Sequence, residues 1–339
     1  MNPIGLDIGG ANLKASDRVT AISQPFPLWK EPQRLAEELA SLLKNYPADA
    51  PLAVTMTGEL ADCFETKSEG VHQILNAVEV AGQGRPISVW QTGGEFVSVD
   101  DAHYLPELVA AANWHALATW AGRMRPLGES LLIDIGSTTT DIIPIHDGLP
   151  ETIGLTDRTR LENGELLYLG VQRTPLACLV GEIEFQGAII GLARELFATT
   201  LDVHLILGEL REDATCHDTA NGRPTTIDAA RTRLSRMLCT DREELSDDDL
   251  LELAQVFRQK ELELVRRSLL KAWRSDSPPR SVLVSGAGEF LAREALNSME
   301  WNESGEQPGM EILSLTQLLG ENRSKAACAD ALSQLASEL

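Results

Sequence analysis

Short runs of consecutive apolar residues alternate along the chain with longer stretches in which apolar positions recur every three or four residues. Residues 4–8, 51–56 and 86–91 are runs of the first kind, and each reads as a strand buried on both faces. Between them, residues 33–45 carry Leu35, Leu39, Leu42 and Leu43 at helical spacing, and residues 71–80 repeat that pattern. Residues 101–127 read as one Ala- and Trp-rich helix packed through Leu108, Ala112, Leu117 and Trp120. Strands alternating with helices predict an α/β fold whose sheet is covered on both faces.

The pattern restarts at Ser130. Leu131-Leu132-Ile133-Asp134-Ile135-Gly136 is a continuous apolar run interrupted by one acid; a Ser/Thr turn follows it, and residues 141–145 read as the returning strand of a hairpin. The restart predicts three parts: a first lobe over 1–126, a second over 127–310, and a C-terminal strand and return helix over 311–339. Within the second lobe, 150–180 is rich in turn residues, 241–273 reads as a charged helix pair, and 281–285 is a buried strand leading to Gly286-Ala287-Gly288. A last strand at 311–315 precedes an Ala-rich helix at 323–338.

Composition narrows the function classes. A chain of 339 residues suits two lobes of about 150 each. Its net charge of −22, from 51 acidic against 29 basic residues, repels nucleic acid and anionic lipid, so neither is an expected partner. An anionic small molecule would need a local cation. Five scattered cysteines without a CxxC pair predict reduced thiols in a cytoplasmic protein. No basic and apolar leader and no apolar run of about 18 residues is present, so export and membrane crossing are not expected.

Two segments echo each other. Leu6-Asp7-Ile8-Gly9-Gly10-Ala11-Asn12-Leu13-Lys14 aligns with Ile133-Asp134-Ile135-Gly136-Ser137-Thr138-Thr139-Thr140-Asp141, at an offset of 127 residues from Asp7 to Asp134. A carboxylate in a buried strand is costly unless a cation or hydrogen bonds compensate it. A glycine two residues later lets the backbone turn and bring its N–H groups to a ligand. Such turns are nests for phosphate oxygens, and the acids then face a cation such as Mg²⁺. Two of them facing each other predict a clamp for a phosphorylated small molecule.

These strings, with Ser285-Gly286-Ala287-Gly288-Glu289, resemble the two phosphate motifs and the adenosine motif of the actin/sugar-kinase/Hsp70 superfamily. Together with Thr57-Gly58-Glu59-Leu60-Ala61-Asp62 and Ala111-Ala112-Asn113-Trp114, they resemble the hydantoinase A/oxoprolinase family, in a branch linked to tetrahydromethanopterin-dependent one-carbon transfer. The resemblance covers most of the chain, more loosely around 185–280. It implies a two-lobed, ribonuclease H-like, actin-type fold with a phosphate cleft between the lobes. It also implies a Mg²⁺-dependent transferase of methanofuran-type cofactor synthesis. That reaction joins an (aminomethyl)furanmethyl diphosphate to the phenol of a tyramine- or tyrosine-type acceptor and releases diphosphate.

Roles follow from the resemblance and the residue types. Asp7 and Asp134 are expected on the Mg²⁺ side. Gly9, Gly10, Ala11 and Asn12, with Gly136, Ser137, Thr138, Thr139 and Asp141, are expected to bind phosphate. Lys14 reads as a point charge on the diphosphate or as a solvated lysine. Glu59 reads as a base toward the phenol or as a first-turn helix acid after Thr57, with Thr57 and Gly58 beside substrate. Asn113 either orients substrate or interrupts a core helix, and Arg173 pairs with a substrate carboxylate or sits on the surface. Gly286, Gly288 and Glu289 match the adenosine motif, which leaves ATP open as a ligand. The acidic stretch 213–218 with Asp228 lacks zinc spacing and reads as a metal site or a plain acidic loop. Two rival functions remain, an ATP-dependent kinase or ATPase and a non-catalytic scaffold; a homodimer also remains open.

Overall fold

The computed structural model describes residues 2–275, 277–299 and 310–339. Its first sheet contains β1 (Ile4–Ile8), β2 (Asn12–Ser16), β3 (Ala21–Pro25), β4 (Leu52–Met56), β5 (Ile87–Trp90) and β6 (Phe96–Val97), in the order β3-β2-β1-β4-β5-β6. β1 runs antiparallel to β2 and parallel to β4, and β4 runs parallel to β5. The second sheet is built from β7 (Glu129–Ile135), β8 (Thr140–His146), β9 (Leu149–Pro150), β10 (Leu166–Leu167), β13 (Ser281–Ser285) and β14 (Glu311–Ser314). The remaining strands, β11 (Glu182–Phe185) and β12 (Ala188–Gly191), form a separate hairpin.

In the second sheet the order is β10-β8-β7-β13-β14, with β9 on β8. β7 is antiparallel to β8 and parallel to β13, and β13 is parallel to β14. Each lobe therefore repeats one plan: a hairpin, then parallel neighbours added beside its first strand. This doubled ribonuclease H-like plan is the actin-type fold. β1, β4 and β13 are buried along their whole length, which explains their unbroken apolar runs.

One apolar core is common to both sheets. Ala53 of β4, Leu132 of β7 and Leu283 of β13 share it with the helices Asn113–Met124 and Ala327–Ala336. A separate core under the helices Thr200–Ile206, Ile227–Ser235 and Asp247–Ala272 forms an outgrowth of the second lobe. None of the helices among the described residues is long and apolar enough to cross a membrane.

Three helical expectations differ from the structure. Residues 101–127 split into Val99–Tyr104, Pro106–Val109 and Asn113–Met124. Pro106 cannot donate to a preceding turn, and Ala111 adopts φ +48°, a left-handed conformation no helix interior accepts. Leu108, expected in the core, is exposed as a result. Where a helix pair was expected at 241–273, one 26-residue helix runs from Asp247 to Ala272, started by a Ser246–Asp249 capping box and free of internal breakers. The terminal helix breaks at Ala326 into Glu321–Lys325 and Ala327–Ala336.

Candidate functional site

Both hairpin turns open onto one cleft of about 570 Å³ between the lobes. In the first, Asp7 on β1 stands opposite Lys14 on β2; in the second, Asp134 on β7 stands opposite Asp141 on β8. Each turn closes in the same way: Gly9 N donates to Asn12 O at 3.0 Å, and Gly136 N to Thr139 O at 2.9 Å. Neighbouring segments then take up the turn carbonyls. Leu28 N and Phe26 N donate to Gly10 O and Ala11 O; Val171 N donates to Gly136 O, and Gln172 N and Arg173 N to Ser137 O.

With the carbonyls engaged on the outer side, the amides of Gly10, Ala11, Ser137 and Thr138 have no backbone acceptor among the described residues. All four residues line the cleft. Four amides without a backbone acceptor, on residues that line one cleft, suit the binding of an anion. The segment that braces the second turn approaches it closely enough to require glycine at 170. A Cβ there would stand 2.4 Å from Ser137 C and Thr138 N.

The charges between the turns are few and confined. Asp7 is buried; its Oδ2 accepts from Lys14 Nζ at 3.3 Å, while its Oδ1 has no partner. That pairing holds the Lys14 ammonium above its ordinary pKa, against the opposing effect of burial. Asp134 is pushed up to about 6, first by burial and then by the neighbouring Asp141 carboxylate. Asp141 accepts a 2.6 Å bond from Arg160 Nη2. Its own pKa is raised by burial, and Arg160 opposes that rise. Gly286, at φ +85°, lies against this group: a Cβ would meet Ile135 O at 2.2 Å and Asp134 Oδ1 at 2.7 Å.

The expected residues fall into three groups. Asp7, Gly9, Gly10, Ala11, Asn12, Lys14 and Thr57 line the cleft from the first lobe, together with Asn113; Asp134, Gly136–Thr139 and Asp141 line it from the second. Arg173 stands at the cleft with an exposed partner, Asp218, at 3.7 Å. Glu59 does not line the cleft. It is buried behind the wall, with Oε2 unpartnered and its pKa raised to about 7 by burial. Gly58 lies behind the wall with it, packed on Leu28 and Gly9.

The adenosine-like residues are used internally. Gly288 N donates to Ile135 O at 2.9 Å, and the Glu289 carboxylate accepts from Ser314 Oγ, Thr316 N and Thr316 Oγ1 at 2.5–2.9 Å. None of Gly286, Gly288 and Glu289 lines the cleft. Residues 213–218 form a loop in which Asp213 Oδ1 accepts from Thr215 N and Oγ1, and His217 Nδ1 contacts Gly222 O. No group of three or more His, Cys, Asp or Glu side chains that could hold a metal ion occurs among the described residues.

Several cleft residues had no signal in the sequence. Arg160 and Asp157 come from the helix Asp157–Asn163, Tyr168 from the loop after β10, Trp29 from the loop after β3, and Cys328 from the C-terminal helix. Arg160 was discoverable in principle. Two acids opposed across a buried hairpin demand a cation, and the turn-rich segment following that hairpin supplies one.

The family model described as hydantoinase/oxoprolinase matches residues 52–318. The chain is 38% identical over 344 residues to the Methanocaldococcus jannaschii protein named (4-{4-[2-(gamma-L-glutamylamino)ethyl]phenoxymethyl}furan-2-yl)methanamine synthase, covering 98% of this chain and 96% of that one. A Methanococcus vannielii protein of the same name is 35% identical over 197 residues, 58% of this chain and 85% of its own. Among solved structures, a chain of a PilM–PilN type IV pilus biogenesis complex aligns over 99% of this chain and 98% of its own, at 14% identity and a TM-score of 0.48.

Proposed function

The chain belongs to the hydantoinase/oxoprolinase family, and from that premise we propose that it is a transferase forming a furanmethyl aryl ether. The donor is an (aminomethyl)furanmethyl diphosphate and the acceptor the phenol of a glutamyltyramine- or tyrosine-type molecule. Diphosphate leaves. The product belongs to a methanofuran-type carrier of tetrahydromethanopterin-linked one-carbon metabolism. One observation carries the reading: two copies of one amide-presenting turn face a single cleft. The chain that bears them is similar along almost its whole length to an enzyme named for a phenoxymethyl-furan product.

The chemistry suits such a cleft. The carbon–oxygen bond to diphosphate breaks with its electron pair leaving on the diphosphate, and the phenol oxygen supplies the new bond as its proton departs. A furfuryl carbon tolerates the intervening positive charge, so the main demand is stabilising the leaving anion. Amides of Gly10, Ala11, Ser137 and Thr138 and the Lys14 ammonium would do this from two sides. Asp62 and Asp157 also line the cleft, and a phenol losing its proton as it attacks needs only a weak base. Glu59 is buried behind the wall and does not border the cleft, so the base role falls to these two acids.

The donor set fits Mg²⁺. Asp7 Oδ1 is a buried oxygen without a partner, and Asp134 presents a second hard oxygen donor across the cleft. A site with one or two carboxylates and no full protein cage is the kind in which substrate phosphates complete the coordination. Bound there, Mg²⁺ would neutralise charge on the departing diphosphate. The ATP-dependent alternative has weaker support, because Gly286 and Gly288 press on β7 and do not border the cleft.

The test is to incubate purified protein and Mg²⁺ with the furanmethyl diphosphate and, in turn, tyramine, tyrosine and γ-glutamyltyramine, then weigh the products. An ether mass with one acceptor is expected. No ether with any acceptor, alongside ATP cleavage in a parallel reaction, would replace this reading with the kinase one.

A further inference from the structure

Two arginines are completely buried, and they differ in how they are satisfied. Arg233 makes hydrogen bonds from two nitrogens, Nε to Asp202 Oδ1 at 2.7 Å and Nη1 to Asn221 Oδ1 and Pro224 O at 3.4 Å, while its Nη2 lies 2.7 Å from Asp202 Oδ1 as an ion pair without a hydrogen bond. It lies outside the cleft and completes a structural pair. Arg160, 1% exposed, borders the cleft and is satisfied at one nitrogen only. Its Nη2 donates to Asp141 Oδ1 at 2.6 Å and to Glu165 O at 3.0 Å. Nε has no acceptor, and Nη1 makes no hydrogen bond, with Asp157 Oδ1 standing 3.9 Å away.

Buried guanidinium donors are almost always paired, because an unpaired one carries a desolvation cost. Arg160 is nevertheless held rigidly: its guanidinium carbon lies 4.1 Å from the centre of the Trp114 ring, and Trp114 is itself buried. A cation needed only to neutralise Asp141 would have no reason to keep two nitrogens unmet at a cleft wall. The first hairpin already shows the arrangement in simpler form, with Lys14 both pairing Asp7 and lining the same cleft.

We propose that Arg160 is the second cationic grip on the phosphorylated substrate, donating from Nη1 to a non-bridging oxygen of the diphosphate seated on the Gly136–Thr139 turn. Asp141 and the Trp114 ring hold the guanidinium in place before the ligand arrives. A guanidinium suits this position because its planar fork bonds a carboxylate with one arm and a phosphate with the other, which an ammonium cannot do at fixed geometry. The assignment rests on the reading of the cleft as a diphosphate site and names a residue that recognises that group.

The experiment titrates inorganic diphosphate, with Mg²⁺ present, into wild-type protein and the Arg160→Lys variant, which keeps the charge beside Asp141 and loses the fork. Expected is a Kd raised at least about tenfold in the variant, the size of one charge-assisted hydrogen bond. Affinity for γ-glutamyltyramine should stay within about twofold. Diphosphate affinity within about twofold of wild type would overturn the assignment. Should Arg160→Lys not fold, Asp141→Asn decides the matter without added divalent cation. Freeing the guanidinium and removing a negative charge should tighten diphosphate at least about threefold, and unchanged or weaker binding would overturn the proposal. Wild-type protein that binds no diphosphate would remove both this assignment and the functional reading, whereas equal binding by wild type and Arg160→Lys would remove this assignment alone.

Discussion

The two hairpins share a backbone and differ in charge. Turn closure and unpaired amides match position for position, Gly9 with Gly136 and Asn12 with Thr139, whereas the engaged carbonyls are shifted by one, Gly10 and Ala11 in the first turn and Gly136 and Ser137 in the second. The cross-strand pairs do not match: acid faces base in the first, and acid faces acid in the second. The first hairpin is therefore neutral by itself, whereas the second depends on Arg160, imported from a helix 19 residues downstream of Asp141. The backbone sets what kind of ligand the cleft accepts, an anion. The unequal side chains decide how each half is poised, and in the second half burial and the facing Asp141 push Asp134 to about 6.

Ways to break that comparison run from large to small. Asp7→Asn and Asp134→Asn should each lower kcat by about a hundredfold or more, the scale of losing one preorganised electrostatic contact to the leaving group. Far-ultraviolet circular dichroism should show both variants folded. A tenfold difference between the two would mean that the halves contribute unequally. Lys14→Met should cost roughly tenfold in kcat/KM and lower the melting temperature, because Asp7 then stays buried without its cation.

The pH response separates the halves further. Asp134 ionises near 6 in the folded protein and near its ordinary 3.8 when unfolded. Its contribution to stability is therefore greatest below 3.8 and lost as pH rises through 6. Urea unfolding of the metal-free protein between about pH 3 and 7 checks this, and Asp134→Asn should remove that part of the pH dependence. Glu59, raised to about 7 from 4.5, behaves alike for stability: its neutral form favours folding, and the benefit disappears as pH rises through 7. Glu59→Gln should then gain on wild type by about 1–3 kcal/mol between pH 5 and 8, measured by urea unfolding at both pH values. The smallest effect is expected at the rim. Arg173→Ala, losing a half-exposed pair with Asp218, should raise KM only a few-fold for an acceptor bearing a carboxylate and not at all for tyramine.

What the sequence revealed follows the reach of its local rules. Both hairpins were readable because a turn is a property of neighbours: an apolar strand, one acid, then glycine within two residues. The parallel strands were readable because β4 and β13 are buried along their whole length and show it as unbroken apolar runs. The breaks near Pro106 and Ala111 were lost because Ala- and Trp-rich composition favours one helix. Ala111 is held left-handed by surroundings beside buried Glu59 that no window of neighbouring residues reports. Glu59 itself was placed at the right strand end, but what its side chain meets depends on packing. Arg160, Asp157, Tyr168, Trp29 and Cys328 reach the cleft from four separate segments, and only the folded chain brings them together.

The most direct test of the two-hairpin clamp is to measure released diphosphate and aryl ether in the same reaction, with Mg²⁺ and without any nucleotide. Equal amounts of the two, formed by wild type and lost in both Asp7→Asn and Asp134→Asn, are predicted. Ether that forms only when ATP is supplied, or diphosphate release that survives in either variant at the wild-type rate, would contradict it.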